Sequence, residues 1–337
     1  MTVDVDAADR PIDSLDERPY APRPRPSGVD RVFSRVTLAA GSTVLALLVL
    51  VGVFLLYRSW PAFRVRGFGF FTTTLWRTDL DPPVFGVLGL LWGTIVVALV
   101  ALTVAVPVSV LTALFISDWA PPRLRSTLIS LVDLLAAIPS LLYGLWGFVY
   151  LQPRLLPMSQ WLDQHAGFIP IFRVDSEQDP TPLSAFAQSL FIAGLVVSLM
   201  VLPIITSVAR ETFSQAPPGE KEAALALGGS RWGMVRTVVL PFGRGGVIGG
   251  SMLGLGRALG ETIAVYVLLS QVPRVSTHIT ESGGATISSF IVARFGGDAF
   301  NVATLLAAGL VLFVFTLSTN FAASLIIARS RSGAGLD

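Results

Sequence analysis

Two ionisable residues, Arg257 and Glu261, stand inside an otherwise apolar run, LGLGRALGETIAVYVLLS, over residues 253–270. A charged side chain placed at the middle of a bilayer costs about 2.5–3.5 kcal/mol on insertion scales. That cost must be offset by a partner charge, by water, or by a cavity that uses the charge. Four residues apart on a helix, the two share one face about one turn from each other, so a mutual ion pair is one reading. Arginine ahead of glutamate is the less favourable order for such a pair. Gly249, Gly250, Gly254, Gly256 and Gly260 line the same run and would let a neighbouring helix, or an anion, come close to the backbone. A pair that only settles a helix bundle and a pair that serves a solute path both fit these residues.

Other chemistries are excluded by composition. There is no cysteine, hence no disulfide framework or thiolate site, and His165 and His278 are too far apart in sequence to suggest a metal cluster. No Ser-His or two-acid arrangement falls inside an apolar segment, which argues against an intramembrane enzyme. Lys221 is the only lysine and follows Glu220, so the Gly-Lys pair of a nucleotide-binding P-loop is missing. A formal charge of +2 is too small to point to nucleic acid.

The elements that position the charged pair follow from hydropathy. The 337 residues are 53% hydrophobic and 14% charged, with mean hydropathy +0.69. A soluble domain carries about a quarter charged residues, so this is a membrane composition. Six apolar segments are expected to cross the bilayer as helices, near 36–57, 84–117, 127–151, 183–209, 239–269 and 299–328, within one domain over 36–329. Residues 1–35, acidic at first and then RPYAPRPRP, read as a disordered tail, and 330–337 as a second short tail. Pro107, Pro139, Pro203 and Pro241 fall inside segments, where each removes one backbone hydrogen bond and favours a bend. With the N-terminus placed in the cytoplasm, the inside segments hold 14 basic residues and the outside segments eight, which favours both termini inside. Asp133 is read as lying at the cytoplasmic boundary rather than facing the bundle.

The inside loop RETFSQAPPGEKEAALALGGSRWGMVRTVVLP (210–241) contains a run of strong helix formers, stopped by Gly228-Gly229, with Ser230 as N-cap of a second helix. Glu222, Ala223, Ala224, Gly228, Val238, Leu240 and Pro241 match, in type and spacing, the E-A-A signature of permease subunits in ATP-binding-cassette importers. That resemblance implies a cytoplasmic coupling helix at about 219–229, seated in a groove of a separate ATPase that binds ATP and magnesium, with no cofactor in this chain.

RALGETIAVY (257–266) resembles the hallmark of the phosphate-specific importer permeases, most like the PstC type, and LLAAIPSLLYGLWG, GTIVVALVALTVAVPVSV and LPIITSVARETFSQAP agree with it. The resemblance covers about 84–328 and implies an all-α integral membrane protein of six transmembrane helices with the type I importer permease fold. Inorganic phosphate would then be the substrate, moved by alternating access along a path touched by Arg257, Glu261, Thr262 and Ser140. A planar guanidinium suits it, because it can hold two phosphate oxygens at once. The implied partners are a PstA type permease in a pseudo-two-fold heterodimer, two copies of a PstB type ATPase, and an extracytoplasmic PstS type phosphate-binding protein, all at the plasma (inner) membrane. The alternatives are a permease for another oxyanion such as molybdate or sulfate, or an ion-coupled secondary transporter.

Overall fold

The computed structural model describes residues 28–174 and 182–331. In chain order the helices are α1 (Gly28–Arg66), α2 (Gly69–Thr72), α3 (Leu88–Leu114), α4 (Pro122–Ala137), α5 (Ser140–Trp146), α6 (Gln152–Ala166), α7 (Leu190–Ser214), α8 (Pro218–Ala226), α9 (Arg231–Met234), α10 (Leu240–Gly260), α11 (Ile263–Leu268), α12 (Ile287–Arg294) and α13 (Ala299–Arg331). Strands β1 (Trp76–Arg77) and β2 (Val84–Phe85) form one short antiparallel ribbon. Five helical stretches among the described residues are long and apolar enough to cross a bilayer: α1, Leu88–Trp119, α7, Arg231–Gly260 and Ala299–Leu325. Helices α4 and Ser140–Ala166, bent by 88°, make a sixth when counted as one span.

Contacts divide the chain into two units, residues 1–51 and 52–337. In the first, residues 28–51 are helix with every side chain exposed. Val44, Leu45, Leu47, Val49 and Leu50 are among them, as suits a helix solvated by hydrocarbon rather than by protein.

In the second unit, α3, α7, α10 and α11 share one core. Ala98, Ala101 and Ala105 of α3 and Ala193, Val197, Val201 and Ile205 of α7 interleave there, with Leu259 of α10 and Val265 and Leu268 of α11. Small side chains on α3 allow the close helix contact that dispersion requires when lipid supplies no hydrophobic drive. The Ser109 hydroxyl donates across this contact to the Leu202 carbonyl at 2.9 Å. A second cluster joins Phe70, Phe85, Leu90, Ile287, Phe290 and Leu305. A third, where α3 and α7 end, joins Leu114, Phe213, Met234, Val235 and Val239.

Several expected boundaries need correction. Helix α1 starts at Gly28, so residues 28–35 are helix and not tail; backbone hydrogen bonding continues past the apolar stretch that marks the membrane. The rest of the expected tail lies outside the described residues. At the other end α13 runs to Arg331, two residues past the expected boundary. Residues 84–85 are strand and α3 begins at Leu88, while 183–186 form one 3₁₀ turn before α7. Helix α7 starts where the Ser189 side chain caps it, accepting from the Ile192 N–H at 3.4 Å. Residues 152–166, expected as outer loop, are helix α6.

Two of the expected spans are broken. The third, 127–151, divides at Ile138-Pro139 into α4 and α5. The fifth divides at Glu261-Thr262 into α10 and α11. Of the four expected bends, only Pro139 coincides with a break. Helices α3 and α7 run on through Pro107 and Pro203. Before Pro241 the helix widens by one π-turn, Val235–Val239, in which the Leu240 N–H donates to the Val235 carbonyl, and then continues.

Candidate functional site

The two broken spans meet. Pro139 has no N–H, so the Leu135 carbonyl four residues back loses its helical donor. It accepts instead from the Tyr143 hydroxyl at 2.9 Å, which reaches back across the corner, and from the Ile138 N–H at 3.4 Å. At the other break, the Glu261 backbone is extended, with φ −64° and ψ 127°. Three hydrogen bonds reach carbonyls at this break. The Glu261 N–H donates to Ala258 at 3.4 Å, the Thr262 hydroxyl to Gly260 at 2.9 Å, and the Ser288 hydroxyl to Glu261 itself at 2.7 Å. Helices α5 and α11 then pack backbone to backbone, because Gly144 leaves no side chain between them. A methyl group there would come within 2.6 Å of the Ala264 Cα.

Beside these breaks lies a pocket of about 420 Å³, open to the outside of the chain and lined by Ser140, Gly256, Arg257, Gly260, Glu261, Thr262 and Ile263. All four residues expected on a solute path, Ser140, Arg257, Glu261 and Thr262, are in that wall. The structure corrects one expectation about them. Arg257 and Glu261 do not share a helix face, since Arg257 sits in the last turn of α10 and Glu261 has already left the helix. No ion pair joins them, and neither has another charged partner within 4.0 Å among the described residues. The Arg257 guanidinium is exposed at a helix C-terminus, where the helix dipole favours a cation. It is near enough to act electrostatically on Tyr143. Glu261 is 8% exposed. The pocket therefore presents an accessible cation beside a carboxylate that is largely covered. Asp133 is exposed on α4 and stands outside this wall.

A second group of expected residues gathers on α8. The helix ends in a Schellman turn: the Gly229 N–H donates to Ala224 at 3.1 Å and the Gly228 N–H to Leu225 at 3.0 Å. Gly228 has φ +82°, a conformation that favours glycine, which gives the signature glycine its physical reason. Ser230 caps α9 as expected, accepting from the Gly233 N–H at 3.0 Å. Ala224 packs inward on the third cluster, while Glu222, Ala223 and Leu225 face out and Leu227 is 90% exposed. Leu240 packs against the same cluster and Pro241 follows it in the first turn of α10.

Three contacts around these sites are not anticipated by sequence reasoning: the Tyr143 hydroxyl donates to the Leu135 carbonyl, the Ser288 hydroxyl donates to the Glu261 carbonyl, and Lys221 reaches Asp118 from α8 at 3.0 Å. Only Thr286-x-x-Ser289, which caps α12 with reciprocal hydrogen bonds, leaves a readable trace near Ser288.

Residues 105–332 match the family described as binding-protein-dependent transport system inner membrane component. The chain is 42% identical over 300 residues to "Phosphate transport system permease protein PstC 2" of Mycobacterium tuberculosis, covering 88% of this chain and 91% of that one. It is 36% identical over 308 residues to "Phosphate transport system permease protein PstC" of Xylella fastidiosa, covering 90% and 92%. In fold it is similar to a chain of a bacterial ABC transporter involved in the import of the acidic polysaccharide alginate, with TM-score 0.51 and 17% identity over 89% of this chain and 99% of that one.

Proposed function

We propose, from the premise that this chain belongs to the binding-protein-dependent transport system inner membrane components and is a multi-pass phosphate import permease of the PstC kind with the type I importer fold, that phosphate crosses through the pocket of Ser140, Arg257, Glu261 and Thr262. The observation that carries this is convergence: two helices broken at separate points bring those four residues to one wall.

Arg257 receives the anion, its fork matching two phosphate oxygens in charge-assisted hydrogen bonds of roughly 2.7–2.9 Å. The Thr262 and Ser140 hydroxyls offer further donors as the anion moves. Glu261 repels the anion at short range and keeps it from being trapped on the guanidinium. The open side of the pocket is where a PstA type permease closes the path, giving a pseudo-two-fold heterodimer.

Helix α8, with the turn that follows it at about 219–229, is the coupling helix. Its outward face, with Glu222, Ala223, Leu225 and Leu227, seats in an ATPase of the PstB type, present in two copies. The ATPase holds ATP and magnesium, and this chain contributes no nucleotide site. ATP binding closes the ATPase pair, α8 moves, and the path opens outward to a PstS type binding protein. The E-A-A face and the excess of basic residues in the inside segments support cytoplasmic termini at a plasma (inner) membrane.

The test is reconstitution. The permease pair and ATPase in liposomes, supplied with phosphate-loaded binding protein, are expected to accumulate phosphate only with ATP and in preference to sulfate or molybdate. Phosphate uptake driven by a proton gradient without ATP would overturn this reading.

A further inference from the structure

Lys221, the only lysine beside 23 arginines, makes a particular contact. Its Nζ lies 3.0 Å from Asp118 Oδ1, joining α8 to the π-turn Phe115–Trp119 that ends α3. The pair is largely covered, with side chains 20% and 9% exposed. Asp118 is electrostatically misplaced by itself, because the C-terminus of a helix disfavours an anion. Its second oxygen, Oδ2, accepts from the Ser117 hydroxyl at 2.7 Å. The Ser117 carbonyl in turn accepts from the Arg125 guanidinium on α4. Helix α4 is the one that ends at the Pro139 corner, directly before Ser140 of the pocket.

Apart from this pair, α8 is held inward by the apolar contact of Ala224, one turn along the same face. An ammonium on a flexible stem keeps an ion pair through a change of angle, where a two-pronged arginine contact would not.

We infer that Lys221 and Asp118 form the swivelling tie through which displacement of α8 is passed to α3 and, by Ser117 and Arg125, to α4 and the pocket. They are positioning residues; neither touches phosphate or nucleotide. The inference rests on the reading of α8 as the coupling helix.

The experiment uses the full complex in liposomes and measures phosphate imported per ATP hydrolysed, together with retention of the ATPase on purification. Lys221→Met and Asp118→Asn are each expected to lower the phosphate-to-ATP ratio at least fivefold, while ATPase rate and retention stay within twofold. The exchanged pair, Lys221→Asp with Asp118→Lys, is expected to restore the ratio to within twofold of wild type. A merely structural role would lower hydrolysis and import together and leave the ratio unmoved, which overturns the inference. If a single variant fails to assemble, the exchanged pair decides: coupled import supports the tie, and its failure overturns it. A wild-type complex that imports no phosphate with ATP rejects the functional reading, whereas a working wild type with unaffected variants rejects the tie alone.

Discussion

Replacing Arg257 by glutamine keeps a polar side chain but shortens it by two bonds and removes both the charge and the two-pronged fork. A hydrogen bond to a charged group contributes roughly 1.5–3 kcal/mol, which corresponds to about 10- to 150-fold in rate if it is made at the barrier. The guanidinium is exposed in the pocket wall rather than buried, so solvent screening places the loss toward the lower figure. Glu261 adds to the loss, since its carboxylate then repels the anion with no cation beside it. Arg257→Lys, which keeps the charge and loses the planar fork, should fall between wild type and Arg257→Gln. Glu261→Gln should act in the opposite sense on binding: half-saturation at lower phosphate but slower turnover, because the anion leaves the guanidinium less readily. The assay is uptake of radiolabelled phosphate into liposomes carrying the full complex, normalised to assembled complex. Uptake by Arg257→Gln within twofold of wild type, in a normally assembled complex, would refute the assignment of the pocket as the path.

Three further outcomes follow from the local geometry. Tyr143→Phe removes the closer of the two donors to the Leu135 carbonyl at the Pro139 corner, and should lower the stability of the purified complex by about 1 kcal/mol in unfolding measurements. Gly144→Ala places a methyl group 2.6 Å from the Ala264 backbone, so α5 and α11 must separate; a sharp fall in folded protein by size-exclusion profile is expected, and normal yield would contradict the packing. Gly228→Ala forces a Cβ into a left-handed conformation at a cost of roughly 1–2 kcal/mol, and should loosen the end of α8 and reduce retention of the ATPase several-fold on purification.

The pocket was legible in part. Arg257 and Glu261 stand out because charge in an apolar run has to be accounted for, and that argument needs no coordinates. Their relation did not follow from spacing. Four residues imply one helix face only while the helix continues, and it stops at Gly260. No proline marks that stop; the break is held by Ser288, 27 residues further on, whose hydroxyl takes the Glu261 carbonyl. Pro139 shows the reverse case. The residue announces a missing hydrogen bond, but Pro107 and Pro203 announce the same and lie in unbroken helices. A proline removes one donor, and what replaces it comes from neighbours that local sequence does not identify.

Hydropathy and composition by themselves determined that this chain is helical and spans a membrane, because an apolar run in lipid must satisfy its backbone internally whatever lies beside it. Short-range chemistry likewise determined the turn at Gly228 and the cap at Ser230, whose hydrogen bonds close within a few residues. Tertiary structure alone decided how two broken helices bring Ser140, expected on the same path, into one pocket wall with Arg257, Glu261 and Thr262, and that the single lysine on α8 pairs with Asp118 at the end of α3. Those contacts join residues roughly a hundred positions apart, and no local periodicity encodes which distant carbonyl or carboxylate a broken helix will find.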